Sequence, residues 1–297
     1  MGKEVIRRLA EIYQQLYVAP GADGPEKYAA IVRCGQDAVK HSLSHFQTDD
    51  GDSLDYEMTP AGEVAVITLQ IRQDFETFLQ IMANRCTPVE IPRTQGASTI
   101  DGVINWTKIK AHQEEFFAAE LDKGNATPDW GAEFQRFTAD RNNFKDVLIV
   151  LSVGPYSAVP AARMGIIDGE WMTLSRLIRK YHECTHFICR KKYPDCKDAI
   201  WDELVADAVG TYAALGRFDR SWEEIFLGIQ DGRYTGGRLE NYVMNLSGGK
   251  RAEKLTELSK CISGILVQFE DIITSHPGVS PFALVEILEE QMGRLWK

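Results

Sequence analysis

Two histidines one helical turn apart are the residues of this chain whose types and spacing best suit chemistry. Residues 182–186 read His-Glu-Cys-Thr-His. On a helix, this spacing places the imidazoles of His182 and His186 on one face, where both can bind a single metal ion. Glu183 between them stays available to accept a proton from a metal-bound water molecule. The pattern therefore predicts a zinc site with a general base beside it.

An acid that can complete the ligand set follows downstream. Glu203 opens the sequence Glu-Leu-Val-Ala-Asp, and Asp207 and Gly210 follow at steps of four and three residues. These three residues share one face of a helix. A catalytic zinc site takes three protein ligands and keeps one position open, so Glu203 is predicted as the third ligand. Asp207 is predicted to accept the remaining N–H of a ligating histidine, and Gly210 to let two helices approach closely.

Two helices must position these residues. Apolar side chains recur at helical spacing over 171–192, and the two histidines lie at one edge of that stripe, where ligands that face a cleft are expected. A second helix is predicted over 198–215, with Asp198 as its N-cap and Pro194 interrupting the chain between the two. The stripe consists of Leu174, Leu177, Ile178, Tyr181, Thr185 and Ile188.

The rest of the chain predicts an α+β fold that is predominantly helical. The β-branched run 146–153 indicates one strand. The segment from Thr59 to Met82 is predicted as a helix, although 63–71 also fits a strand, and 87–105 is predicted as a loop. Further helices are predicted at 3–17, 25–46, 107–121, 219–229, 252–274 and 281–295. Two regions follow, a helical N-terminal region 1–140 of unknown role and a metal-binding region 141–297, although one continuous domain remains an alternative.

Composition limits the classes of partner. The net charge of −10 over 297 residues argues against broad contact with nucleic acid or an anionic membrane. No stretch approaches the roughly 18 apolar residues of a membrane span, and the N-terminus reads as an amphipathic helix and not as a secretory signal.

The six cysteines are irregularly spaced and form no Cys-x-x-Cys pair. A cytoplasmic location is therefore expected. Cys184, Cys189 and Cys196 lie near the histidines. Each could be an additional ligand, but a small buried residue is the favoured interpretation.

Hydrolysis would need a donor for the oxyanion besides the metal. The glycine-rich segment 232–242 is the best source. Within it, Tyr234 and Arg238 are predicted as catalytic residues alongside Glu183.

The motif pair resembles the gluzincin metallopeptidases, the thermolysin-like group, over about residues 146–216. In that family a helix carries His-Glu-x-x-His and a following helix carries Glu-x-x-x-Asp. The resemblance implies that His182, His186 and Glu203 bind Zn²⁺, that Glu183 is the general base and that Asp207 supports His182. It also implies a gluzincin-like core in which this helix pair borders a small β-sheet.

The function expected from the sequence is zinc-dependent hydrolysis of a peptide or small amide substrate. Two alternatives remain. A non-catalytic protein could keep the helix pair for structure or metal binding, with Glu183 forming surface ion pairs to Arg179 and Arg190. A helical iron-carboxylate oxidoreductase would use Glu183-x-x-His186, but such proteins need a second Glu-x-x-His helix.

Overall fold

A computed structural model describes residues 2–38, 43–195 and 198–292, and these residues form an α+β fold that is predominantly helical. The fold class is therefore confirmed at this level. The α-helices of the described residues are α1 Gly2–Ile12, α2 Gly24–Cys34, α3 Arg72–Met82, α4 Trp106–Asp122, α5 Trp130–Ala139, α6 Ala161–Met164, α7 Asp168–Lys192, α8 Ala199–Leu215, α9 Arg220–Leu227, α10 Gly248–Thr274 and α11 Ala283–Gln291. The strands are β1 Ser53–Thr59, β2 Gly62–Leu69, β3 Ala97–Ile104, β4 Lys145–Ser152, β5 Ile229–Gln230 and β6 Arg233–Tyr234.

Four strands form one sheet in the order β1-β2-β4-β3, and β5 pairs with β6 in a separate ribbon. Strands β2 and β4 run parallel, with Ala65 opposite Leu148 and Leu69 opposite Ser152. Residues 148–151 are all buried, as expected for a central strand of apolar and β-branched residues. The strand predicted at 146–153 is therefore confirmed.

The described residues form two compact units. One takes the residues up to Tyr56 together with 65–92 and 99–152, and the other takes 57–64, 93–98 and the residues from Val153 onward. Strand β4 belongs to the first unit because it pairs with β2, so this unit extends past residue 140. The division into an N-terminal region and a metal-binding region at that position stays a prediction.

The helix predicted from Thr59 is wrong in its first half. Residues 62–69 form strand β2, and α3 begins only at Arg72 after an extended Ile71. Over so short a length, the apolar side chains of this stretch fit both the helical period of about 3.6 residues and the strand period of two. Pairing with β4 stabilises the strand, which is the alternative that the sequence offers for 63–71.

Two further predictions in this unit need correction. The helix predicted over 25–46 ends at Cys34, because Gly35 adopts a left-handed φ of 64°, and residues 39–42 of that range lie outside the described residues. The loop predicted over 87–105 contains strand β3. Its hydrogen bonds come from sheet neighbours distant in sequence, which local periodicity does not reveal.

Helices α7 and α8 confirm the predicted pair and are packed against each other in antiparallel directions. Asp198 caps α8 as predicted, accepting hydrogen bonds from the backbone N–H groups of Ile200 and Trp201 at 2.9 Å each. At Gly210, a Cβ atom would lie 2.7 Å from the carbonyl oxygen of Ile178. Only glycine allows the two backbones to come this close.

Among the helices of the described residues, none combines the length and the apolar character that a membrane span requires. The cytoplasmic location stays a prediction.

Candidate metal centre

The three predicted ligands converge in the second unit. The Nε2 atoms of His182 and His186 lie 2.9 Å apart. The Glu203 carboxylate places Oε2 3.6 Å from Nε2 of His182 and Oε1 3.5 Å from Nε2 of His186. Ligand atoms around one tetrahedral zinc ion, for comparison, are separated by about 3.3 Å. The three groups are therefore close enough together to hold one metal ion.

Each histidine is held from behind by a carboxylate. Nδ1 of His182 lies 2.9 Å from Oδ1 of Asp207, and Nδ1 of His186 lies 2.7 Å from Oδ2 of Asp202. A carboxylate accepts the Nδ1–H proton, which leaves the Nε2 lone pair for a metal. The structure therefore brings Asp207 to the position predicted for it, and both rings are oriented for coordination.

The contact of Asp202 with His186 is not among the contacts predicted from the sequence. The two helices run antiparallel, so moving one turn forward along α7, from His182 to His186, means moving about one turn back along α8. The aspartate behind His182 is Asp207, so the acid behind His186 is expected near residues 202–203. Asp202 is the acidic residue there, in the first turn of α8.

The charges of the ligand set follow from burial and from these contacts. Burial, and after it the charge of the neighbouring His186, lower the pKa of His182 to about 4. For His186, burial also lowers the pKa, but hydrogen bonds to Asp202 and Glu203 outweigh it and raise the value to about 10. Burial would raise the pKa of Glu203, but the hydrogen bond to His186 and the charges around it hold it well below its usual range. Metal binding would therefore displace a proton from His186.

Glu183 lies on α7 directly beside the ligands and is only 8% exposed. Glu183 is therefore buried and does not lie at the surface, and the alternative of a non-catalytic protein stays open. Arg179, one of its predicted partners, is buried and donates to the carbonyl oxygens of Gly154 and Pro155 at 2.5 and 2.7 Å. The role of Glu183 as a general base stays a prediction.

Tyr156 also lies in the site, although no motif in the sequence points to it. Its hydroxyl donates to Oδ1 of Asp207 at 2.5 Å and lies 2.9 Å from Nδ1 of His182. The side chain is buried, and burial is the first cause that raises its pKa. The only local indication is that Tyr156 follows the Gly-Pro pair that ends β4.

Of the two predicted oxyanion donors, the structure brings Arg238 to the site. Its guanidinium donates to Oδ2 of Asp207 and, at 3.3 Å, to the Tyr156 hydroxyl. The Tyr234 hydroxyl lies within its own segment, 3.0 Å from Oε2 of Glu240, and accepts from the Gly237 N–H at 3.0 Å. The catalytic roles of both stay predictions.

The neighbouring cysteines are buried side chains. Cys184 and Cys189 are both buried, and burial raises the pKa of the Cys184 thiol to about 12. Within the described part of the chain, the group of side chains that could hold a metal consists of His182, His186 and Glu203. Cys196 lies outside the described residues. The interpretation of Cys184 and Cys189 as small buried residues is therefore confirmed.

Comparison with known proteins places the chain without assigning an activity. The model of a family of unknown function (DUF7005) matches residues 3–284. No curated protein and no solved structure matches the chain.

Proposed function

We propose that this chain, which belongs to the DUF7005 family of unknown function, is a zinc-dependent hydrolase, and specifically a metallopeptidase with a gluzincin-like core. The observation that supports the proposal most directly is the convergence of His182, His186 and Glu203. Both imidazoles turn Nε2 toward the carboxylate while aspartates hold their Nδ1 atoms. Histidine pairs that merely fill a core do not need two buried or half-buried carboxylates behind them.

The chemistry divides between the ion and the chain. When bound, zinc would polarise the substrate carbonyl and lower the pKa of a water molecule. Glu183 would accept the proton of the attacking water and deliver it to the departing amine as the C–N bond breaks and the C–O bond forms. The two aspartates fix the histidines, and Glu203 completes the ligand set and remains half-buried. Peptide or small amide bonds are the substrate class that this chemistry serves.

Metal content of the purified protein tests the site. After loading with zinc sulfate and dialysis, the wild type is expected to retain one zinc per chain by elemental mass spectrometry. His182→Ala and Glu203→Gln are each expected to lose it, because two remaining ligands bind zinc weakly. His276→Ala is the matched control, since that ring bonds the carbonyl oxygen of Ile272. Full zinc retention by His182→Ala would remove the assignment.

Hydrolysis tests the mechanism separately. The zinc-loaded protein is incubated with a casein digest, and new termini are identified by mass spectrometry. Glu183→Gln is expected to keep its zinc and to lose cleavage by about 10²-fold or more, as expected for removal of a general base. Glu170→Gln, an exposed position on the same helix, should cleave as the wild type does. A zinc-bound wild type that cleaves nothing would favour the non-catalytic alternative, and an active Glu183→Gln would contradict the mechanism.

A further inference from the structure

Two side chains from separate segments converge on Asp207, the residue behind ligand His182. We propose that Tyr156 and Arg238 form a clamp with Asp207 that fixes His182 as an Nε2 ligand, so that both are positioning residues of the metal centre. This extends the zinc site proposed above and rests on it. It also gives Arg238 a role other than the oxyanion donor predicted from the sequence.

Both oxygens of Asp207 are occupied. The side chain is fully buried, its Oδ1 receives the Tyr156 hydroxyl and the His182 ring, and its Oδ2 receives Arg238. A buried carboxylate without a counter-charge is strongly disfavoured. Arg238 supplies that charge within the hydrogen bond itself. The contact therefore stabilises the carboxylate that accepts the N–H of the His182 ring.

The Tyr156 hydroxyl adds a second contact on the same ring nitrogen. Because its O–H donates to Asp207, its oxygen lone pairs face Nδ1 of His182 at 2.9 Å. The Nδ1–H of His182 thus meets two acceptors, the Asp207 carboxylate and the tyrosine oxygen. Both favour the tautomer that carries its proton on Nδ1, and Nε2 is left to the metal.

The backbone around Tyr156 is held in an unusual conformation to place this hydroxyl. Ser157 and Ala158 are consecutive non-glycine residues with left-handed φ values of 50° and 57°, a conformation that side chains disfavour and that clusters at functional sites. Helix α7 ties down the same turn, since Ser175 accepts the Tyr156 N–H at 2.9 Å and Arg179 binds the two preceding carbonyl groups. The helix that carries His182 therefore also positions its tyrosine partner.

Two glycines bring Arg238 to Asp207. A Cβ on Gly228 would lie 2.3 Å from the carbonyl of Gly236, and one on Gly237 would lie 2.5 Å from the backbone nitrogen of Gly228. The chain can cross the end of α9 at this distance only because both residues lack a side chain. Arg238 is the next residue after the crossing. The glycine-rich segment thus serves to deliver a cation to Asp207.

Zinc affinity of the clamp variants tests the proposal. Tyr156→Phe and Arg238→Met are compared with the wild type by chelator competition at one pH near neutrality, after circular dichroism has confirmed that each is folded. Each is expected to bind zinc about 10- to 100-fold more weakly, the range for residues that support a metal ligand. Arg238→Lys, which keeps the charge but not the fork, should recover part of the loss. Tyr13→Phe is the matched control, because that hydroxyl also donates to an aspartate, Asp146 at 2.6 Å, but in the first unit.

A spectroscopic readout separates positioning from general loss of structure. In the zinc-loaded wild type, ¹⁵N shifts of the histidine rings are expected to show His182 protonated on Nδ1, and in Tyr156→Phe this signal should broaden or shift. The visible spectrum of the Co²⁺-loaded protein should change in Tyr156→Phe and Arg238→Met and stay the same in Tyr13→Phe. If the variants match the wild type in affinity and in both spectra, the clamp is refuted although the zinc site stands. A wild type that binds no zinc refutes the proposed function and the clamp together.

Discussion

A buried acid behind the metal centre makes stability depend on pH in a way that one substitution should abolish. Glu223 on α9 is fully buried, and its Oε1 accepts a hydrogen bond from the Thr211 hydroxyl. Its Oε2 has no hydrogen-bond partner among the described residues. Burial is the main cause that raises its pKa from 4.5 to about 8. The carboxyl group is therefore predominantly protonated in the folded protein at neutral pH.

The size of the effect follows from the shift. The unfolded chain releases this proton near pH 4.5 while the folded protein retains it up to about pH 8. The protonated Glu223 therefore contributes its full stabilisation below about pH 4.5. This contribution to the free energy of unfolding is lost as the pH rises toward about 8. At about 1.4 kcal/mol for each unit, the loss between pH 4.5 and about pH 7 is on the order of 3 kcal/mol. Glu223→Gln keeps a neutral side chain of similar shape and removes this dependence.

Urea unfolding measures the difference. The free energy of unfolding of Glu223→Gln minus that of the wild type should grow by about 3 kcal/mol over this pH interval, a large part of a typical domain stability. Glu224→Gln, the partly exposed neighbour, should show no such growth. A difference between Glu223→Gln and the wild type that stays constant with pH would refute the reasoning, since it would mean that Glu223 ionises alike in both states.

Three further outcomes are expected. Asp202→Asn should weaken zinc binding about 10- to 100-fold by chelator competition, because His186 loses the carboxylate that accepts its ring proton; unchanged affinity would show that this contact is dispensable. Gly210→Ala should lower the free energy of unfolding in urea by about 1–3 kcal/mol, because its Cβ would meet the Ile178 carbonyl oxygen. Gly264→Ala, which has open space around its Cβ, should raise it by about 0.5–1 kcal/mol, since alanine is favoured over glycine inside a helix. Equal effects of the two substitutions would refute the close approach. Zinc at about 100 times its dissociation constant should raise the free energy of unfolding by about 2.7 kcal/mol, and EDTA should reverse this; a transition insensitive to both would argue against a bound ion.

The helix pair and the convergence of His182, His186 and Glu203 could be predicted because their signals are local. A stripe of apolar residues, the cap at Asp198 and a glycine in register with Glu203 all lie within single helices. Helical spacing alone puts His182 and His186 on one face. The antiparallel packing that unites them with Glu203 needs only the short connection between the helices.

The remainder of the site depends on contacts that span long stretches of sequence. Tyr156 lies 51 residues from Asp207 and Arg238 lies 31 residues from it, and no periodicity links such positions. Arg238 was singled out, but for a substrate role, because its partner carboxylate is visible only in three dimensions. The strands β1 and β3 escaped notice for the same reason, since their stability comes from neighbours across the sheet.

The contact of Gly210 with Ile178 bears on how far Glu203 stands from the two histidines. Both histidines lie on α7 and Glu203 lies on α8, so the distances from its carboxylate to the two rings depend on the separation of the helix axes. Gly210 lies two turns along α8 from Glu203 and limits that separation from below. A larger residue there would push the two helices apart and move the Glu203 carboxylate away from both rings. The spacing of the three groups that could hold a metal is thus limited by a residue that has no side chain.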